Sequence, residues 1–538
     1  MNHKNTIAII LSLVLGISVP MINISATEIS DDEPVSTEQI IEVQDPVEES
    51  DSDTVDVSYN DSQPGFELEE EPGYVIYNGK KYATGYEESD TEIIVQNPSE
   101  EVTDAQIENL SALPSELPSK FVPTDLPPLK DQSPYGTCWA FGSIAMAEMN
   151  LIRKGINPNP DLSELHLVYF TNNHVNDPLG GTKNDVKHSA ESEYPDFLNL
   201  GLNYGMAAST LAGWEGVAAE ETAPYNTALI ARENGLDDSI AYQDVAHLKN
   251  YYLFSLVNSR YNDGEYHFST NTDSIQTAKE FIYEYGAVGI SMYVNNAYAA
   301  DTDGLIYSSE YNSYYDPSYD MRPGKHAVVL VGWDDNFSKD HFASAKKPEA
   351  DGAWLVRNSW TTGSFEDNQD FSGYFWMSYY SKGIFGDADV FEMDTSDNYD
   401  NNYQYECADG FGGCTSLDGG SIQKGANVFT AHADGGELGE NLEAISFFVS
   451  DPDINYTAEI YTNLKDQTDP ESGSLDSTIS GTTKYVGYYT IPLDNPIYLK
   501  PGESYSIVLT LTFNVKPEQA TSPHIGSATW ASKGQSFL

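Results

Sequence analysis

Residues 131–155, "DQSPYGTCWAFGSIAMAEMNLIRKG", hold a single cysteine where a turn-rich loop gives way to an apolar run. Phe141, Ala145, Met149 and Ile152 recur at the spacing of one helix face. Arg153 and Lys154 follow in what would be the last turn, and Gly155 supplies a stop. The pattern predicts a helix that opens at about Cys138. A thiol at that place meets unpaired backbone N–H groups and the positive end of the helix dipole, and both favour a thiolate. Cys138 therefore has three readings: a nucleophile, half of a disulfide, or a small apolar residue in a core.

The chain of 538 residues has only two other cysteines, Cys407 and Cys414. They lie close together in "CADGFGGC", whose glycines would let a short loop close by a disulfide. Such a pair would leave Cys138 free, as a thiol nucleophile requires. No cysteine pair has a histidine pair at ligand spacing, so zinc is poorly supported, and no metal or other cofactor is expected. A nucleophilic thiol needs a base, and the base needs an orienting partner. His326 opens the strand-like run "HAVVLVGW", and Asn358 closes "AWLVRNSW". Strand ends place side chains at the rim of a core, facing a cleft.

Acidic residues number 84 against 26 basic ones, a formal net charge of −58. This surface repels phosphate backbones, which argues against nucleic-acid binding, and it should also repel anionic lipid headgroups. Lys4 followed by the apolar "IAIILSLVLGI" and the small residues of "NISA" reads as a secretion signal over 1–26, cleaved after Ala26. An uncleaved anchor is the competing reading. No later run approaches the ~20 apolar residues of a spanning helix. A secreted or extracellular protein, in contact with a cell surface or free of it, is expected.

Residues 27–111 form an acidic segment. Its first part, to about residue 73, lacks Lys and Arg and has no apolar periodicity, so it is expected to be weakly ordered. "GYVIYNGKKYATGY" (73–86) has strand character about a possible Asn78-Gly79 turn. Prolines mark a boundary near residue 112. One globular unit is expected over 112–392, helices first and strands later, then a linker over 393–418. Short strand candidates fill 419–538. In "ESYSIVLTLTF", Tyr505, Ile507, Leu509, Leu511 and Phe513 alternate with Ser506, Val508, Thr510 and Thr512, which suggests a β-sandwich. The fold class expected is α+β followed by an all-β domain.

"DQSPYGTCWAF", "GKHAVVLVGW" and "WLVRNSW…G…GYFWMSYY", in that order, resemble the active-site blocks of papain-family cysteine peptidases over about 112–392. The resemblance implies a two-lobed fold and peptide-bond hydrolysis through a thioacyl intermediate, on protein or peptide substrates. It implies Cys138 as nucleophile, His326 as its imidazole partner, and Asn358 as the residue that fixes that imidazole. Gln132 would donate to the oxyanion, and Trp360 would cover the His–Asn bond from water. Tyr135 stands where the family often has a second cysteine, so the disulfide usual there is absent. Cys138 and His326 are 188 residues apart (326 − 138), against ~130–150 expected. Insertions are therefore expected at about 227–272 and in "LIYSSEYNSYYDPSYDMRP". The family's substrate-binding Gly-Gly is not obvious in 191–225, where Pro224-Tyr225 matches a common "PY". His166, His174, His188, His247, His267 and His341 read as surface or loop residues.

The acidic segment occupies the place of a propeptide, with blockage of the cleft an open question. The C-terminal part is similar to lectin-like sandwiches that follow papain-like domains in some secreted bacterial proteins. That resemblance implies a possible glycan or cell-surface ligand, or a sandwich that binds nothing. Its Asp-rich loops could hold Ca²⁺, though no EF-hand pattern is present. Competing functions are an inert adhesin or glycan-binding protein, and a cysteine amidase acting on cell-wall peptides.

Overall fold

The structure is a computed structural model. It describes residues 6–11, 74–77, 80–86, 116–180, 196–262, 265–294, 306–317, 324–343, 347–405, 422–432, 439–512 and 536–537. Cys407, Cys414 and His188 lie outside these, as does all of 27–73, so the possible disulfide and the expected weak order of the acidic segment fall there too.

A helix spans Cys138–Arg153 and ends at Gly155, which takes φ +70°. One apolar face was the expectation, but the helix is buried on every side from Cys138 to Leu151. Ala140, Gly142, Ser143 and Ala147 are small enough for neighbours to close on the remaining faces, which makes this the central helix. Helices Glu164–Asn172 and Tyr204–Ala212 lie against one side of it. Strands of the main sheet cover the other.

The sheet carries the two strands that sequence marked. Gly324–Asp334, here the histidine strand, pairs antiparallel with Val288–Val294 and with Ala353–Arg357, the asparagine strand. The helix expected to end at Gly286 is Thr272–Tyr285, and Gly286 takes φ +98°. A side chain there would meet the Met149 carbonyl oxygen at 2.7 Å, so the turn also needs glycine for close approach.

The sheet does not stop at the catalytic half. Val288–Val294 pairs with Ile384–Thr395, that strand with Ala246–Phe254, that one with Val486–Leu499, and that last with Glu440–Val449. Ala246–Phe254 falls within the stretch expected to be an insertion. It is the strand that joins the two halves into one sheet.

A second sheet, in the order 474–483, 454–462, 504–512, 422–430 and 536–537, faces the far end of the first. Phe429, Ile445, Phe447, Ile460, Tyr505, Ile507 and Leu509 fill the layer between them. The alternating Tyr505, Ile507 and Leu509 point inward as expected, and Ser506 and Val508 are buried as well in a strand paired along both edges.

Thr6–Leu11, within the expected secretion signal, forms a strand parallel to Asn401–Tyr403 and to Glu440–Val449. No helix among the described residues is long and apolar enough to cross a membrane.

Three histidines expected at the surface are buried, each tied to a distant partner. His166 Nε2 lies 2.9 Å from the Ile240 carbonyl, and His174 Nδ1 pairs with Glu215. His247 sits between Asp244 at 2.7 Å and Asn398 at 2.9 Å, and stacks on Trp214. Buried imidazoles persist where ring nitrogens find partners, and most of those partners come from positions that local sequence does not reveal, while His166 Nδ1 has no partner among the described residues.

Candidate active site

Cys138 is the first residue of the central helix and is fully buried. The backbone N–H groups of Ala327, Gly85, Trp139 and Cys138 itself act on its thiol and favour the thiolate. Ala327 follows His326, and the central helix packs against the histidine strand. Burial pushes the Cys138 thiol up to about 11, with those four donors working against it. Burial likewise brings His326 down to about 4, opposed by its bond to Asn358. At neutral pH both groups are uncharged in this covered state.

The imidazole tautomer follows from the amide beside it. Asn358 Nδ2 donates to the Phe371 carbonyl at 2.7 Å, so Oδ1 faces the other way and accepts from the Ser359 N–H at 2.8 Å. The same Oδ1 lies 2.7 Å from His326 Nε2, which must therefore carry the proton. In the neutral ring Nδ1 is then the basic nitrogen. It is buried with no hydrogen-bond partner among the described residues. Trp360 covers this pair, its ring centroid 4.8 Å from that of His326.

Gln132 is also fully buried. Its Oε1 accepts from Ser359 Oγ at 2.7 Å, and its backbone N–H donates to the Ser359 carbonyl at 2.9 Å. Residues 129–131 pair with Trp360–Gly363 just beside it. Sequence reading missed Ser359, although its place inside "NSW" was the available signal. With Oε1 held, the Gln132 NH₂ is directed to two carbonyls, Tyr135 at 2.9 Å and Ala83 at 3.0 Å.

Ala83 belongs to a segment from outside the catalytic unit. Strands Tyr74–Tyr77 and Lys80–Ala83 form the expected hairpin, and residues 82–86 are buried. Tyr82 stacks on Trp360 at 4.9 Å, with its hydroxyl donating to the Trp360 carbonyl. The Gly85 N–H favours the Cys138 thiolate, and the Gly85 carbonyl accepts from the Leu202 N–H at 3.2 Å. The Tyr86 N–H donates to the Lys325 carbonyl at 3.3 Å. A side chain at Gly85 would overlap the Gly136 carbonyl, at 1.8 Å. The chain's own residues 80–86 thus lie across the thiol. The glycine in "ATGY" was the one sequence signal of so close an approach.

The bend before Cys138 is held by Tyr225, the tyrosine of the "PY" pair. Its hydroxyl donates to the Gln132 carbonyl at 2.8 Å and lies 2.7 Å from Thr137 Oγ1. Its ring packs edge-on against Phe141 and Tyr135. This contact ties the bend to residue 225 without the absent cysteine. Tyr225→Phe should therefore cost ~1–3 kcal/mol of stability, since buried acceptors lose their partner. Urea unfolding of the two proteins would measure it, and equal midpoints would show that the hydroxyl holds nothing.

The sequence pattern described as papain family cysteine protease matches residues 122–390, and that described as lectin like domain matches 403–538. The chain belongs to the papain family of cysteine proteases. Two curated relatives are a "Cysteine protease" of Blomia tropicalis, 26% identical over 237 residues, and "Cysteine proteinase 2" of Entamoeba histolytica, 42% identical over 78 residues. The first match covers 44% of this chain and 54% of the relative, the second 13% and 25%. The chain thus spans about half the length of one and a quarter of the other.

Among solved structures, this chain has the fold of a clostridial cysteine protease, Cwp84, after propeptide cleavage. The TM-score is 0.56 and the identity 24%, over 78% of this chain and 92% of that one. The cysteine protease and lectin-like domains of Cwp84, a surface layer associated protein of Clostridium difficile, give a TM-score of 0.55 at 23% identity, over 78% and 83%.

Proposed function

We propose that this protein is a secreted cysteine endopeptidase that hydrolyses peptide bonds through a thioester on Cys138. The observation that carries it is the His326–Asn358 pair, which leaves a basic Nδ1 free of any partner among the described residues, on the strand that packs against the helix opened by Cys138. His326 Nδ1 takes the thiol proton as Sγ attacks the scissile carbonyl carbon. The oxygen, now negative, is met by the Gln132 NH₂ and the Cys138 backbone N–H. Imidazolium then gives its proton to the leaving amine as the C–N bond breaks. Water attacks the thioester, His326 takes its proton, and the C–S bond breaks to return the thiol. That Gln132 already donates to a peptide carbonyl, Ala83, supports its role. An oxyanion donor of this kind is worth ~2.7–4 kcal/mol in the transition state. The signal-like start of the chain and a similar surface-associated protein support secretion.

Labelling with an epoxide inhibitor selective for papain-like peptidases tests this reading. One adduct per chain on Cys138 is expected, and an unlabelled Cys138 in a chain freed of residues 80–86 counts decisively against it. The amidase reading has less support, because Asn358 and Gln132 suit a papain-like site and not the His or Asp third residue usual in those enzymes.

Residues 80–86 act as a cover that must leave before substrate enters. Gly85→Val should dislodge it, because the added carbons have nowhere to go. Overpacking of ~1–3 kcal/mol predicts that Cys138 alkylation by iodoacetamide at neutral pH quickens about ten- to hundredfold. Unchanged alkylation would mean that the segment does not shield the thiol.

A further inference from the structure

Thr6–Leu11 fills a gap one strand wide. On one side it runs parallel to Asn401–Tyr403, with Ile7 level with Asn401 and Ile9 with Tyr403. On the other it runs parallel to Glu440–Val449, with Thr6 level with Asn441 and Leu11 with Phe447. Both walls have other holds. Glu440–Val449 is paired on its far edge with Val486–Leu499. Asn402 Nδ2 donates to the Ala212 carbonyl at 3.1 Å, and Gln404 Nε2 to the Gly213 carbonyl at 3.0 Å. Glu440 joins one wall to the other. Its Oε1 accepts from Asn401 Nδ2 at 3.0 Å and its Oε2 from the Tyr403 hydroxyl at 2.7 Å. The walls are therefore held one strand apart by contacts that do not involve Thr6–Leu11. A strand entering a gap so held needs little reorganisation of its host. Removal of a leader over 1–26 takes Thr6–Leu11 away and opens the gap.

The walls also dictate what fits. Tyr403, Leu442, Ile445, Phe447 and Val449 belong to the layer between the two sheets. Phe448 packs into the core of the catalytic half, and Asn402 reaches Ala212 on that side. A strand between such walls is covered on both faces, which calls for an unbroken apolar run rather than an alternating one. "IAIIL" at 7–11 is such a run. The end at which the strand enters is acidic. Residues ahead of Thr6 pass Glu440, whose buried carboxylate has two neutral donors as partners, and Asp400 precedes the opposite wall. A basic residue just ahead of the run is favoured there, as Lys4 is in this chain.

We propose that the gap between Asn401–Tyr403 and Glu440–Val449 is a docking slot for an extended peptide of another chain, apolar throughout, led by a basic residue and parallel to both walls. Main-chain hydrogen bonds along both edges give the affinity, and the two flanking cores select the side chains. The proposal rests on the secretion reading only for removal of the leader, and not on the peptidase reading.

The probe is a fluorescein-labelled synthetic peptide of residues 4–11, followed by fluorescence anisotropy. It is offered to the full chain, to the chain beginning at Thr27, and to the full chain carrying Ile9→Pro, which removes an N–H from the middle of the seated strand. The last two should bind the probe at least about tenfold more tightly than the full chain, whose slot is filled. The Ile9→Pro chain keeps every other residue, so it tests the slot even where the shortened chain does not fold. A probe N-methylated at Ile7 and Ile9 lacks two donors and should bind about tenfold more weakly or worse. A probe carrying Lys4→Glu should bind more weakly at low salt and lose less at high salt.

Equal binding to all three proteins overturns the proposal, as does equal binding of the N-methylated probe. So does no binding to either opened chain, which would mean that another part of the protein closes the gap. N-terminal sequencing of the exported protein tests the leader by itself. A chain that still begins at Met1 ends the secretion-signal reading, while the Ile9→Pro result decides the slot.

Discussion

Cys138→Ala should abolish peptide cleavage, with kcat/KM falling about ten-thousandfold or more, as when a nucleophile acting in concert with its base is removed. No other free cysteine is present among the described residues. The Ala327 N–H of the histidine strand favours the thiolate, and His326 Nδ1 has no hydrogen-bond partner among the described residues. Alanine is smaller than cysteine and favours the helix, so the fold should survive and the loss will report chemistry. The comparison belongs in the Gly85→Val background, where the thiol is open to substrate. Wild-type rates in Cys138→Ala would sink the mechanism and favour an inert binding protein. Asn358→Ala should do less damage, because it frees the imidazole to turn without removing the nucleophile.

Lys130→Met should destabilise the protein by ~3–5 kcal/mol, the usual cost of leaving buried charge without its partner. Lys130 reaches Glu148 at 2.8 Å, Glu164 at 3.3 Å and Asp161 at 3.0 Å, and donates to the Leu162 carbonyl at 2.6 Å. Glu148 is on the central helix and Glu164 opens the next, so a single ammonium joins two helices to the residues leading into Gln132. The first two carboxylates are almost wholly buried, while Asp161 is exposed and adds little.

The loss should depend on pH. Burial pushes the Glu164 carboxyl up to about 8, outweighing the attraction of Lys130. A folded-state value above the unfolded one means stability present below the ordinary 4.5 and lost as pH rises through 8. Without the ammonium that loss steepens, so the penalty of Lys130→Met should be larger at about pH 8 than at about pH 5. Urea unfolding at the two values checks it. An equal penalty at both would mean that the lysine holds the helices by packing rather than charge.

The residues proposed to make the chemistry were legible because each lies in a short run whose neighbours announce it. Cys138 opens a helix pattern, and His326 and Asn358 bound apolar strands. What joins those runs was not legible. The grip of Ser359 on Gln132 spans 227 residues, and that of Tyr225 on the same bend spans 93. The cover at Gly85 is a backbone approach, which leaves no pattern beyond the glycine. Ala246–Phe254 sits in a Tyr- and Asn-rich stretch that reads as an insertion, because its period is hidden when both faces are buried.

That strand has a consequence for how the proposed peptidase would meet its substrates. A cleft on a flexible tether samples many distances from whatever its partner domain holds. Here hydrogen bonds run without a break from the histidine strand through Val288–Val294, Ile384–Thr395 and Ala246–Phe254 to Val486–Leu499. Whatever the C-terminal sandwich grips, the cleft stands at one bearing and one distance from it. The peptidase proposed above would work as a fixed gauge, and the position of a scissile bond relative to an anchoring point on the sandwich would become part of its selectivity.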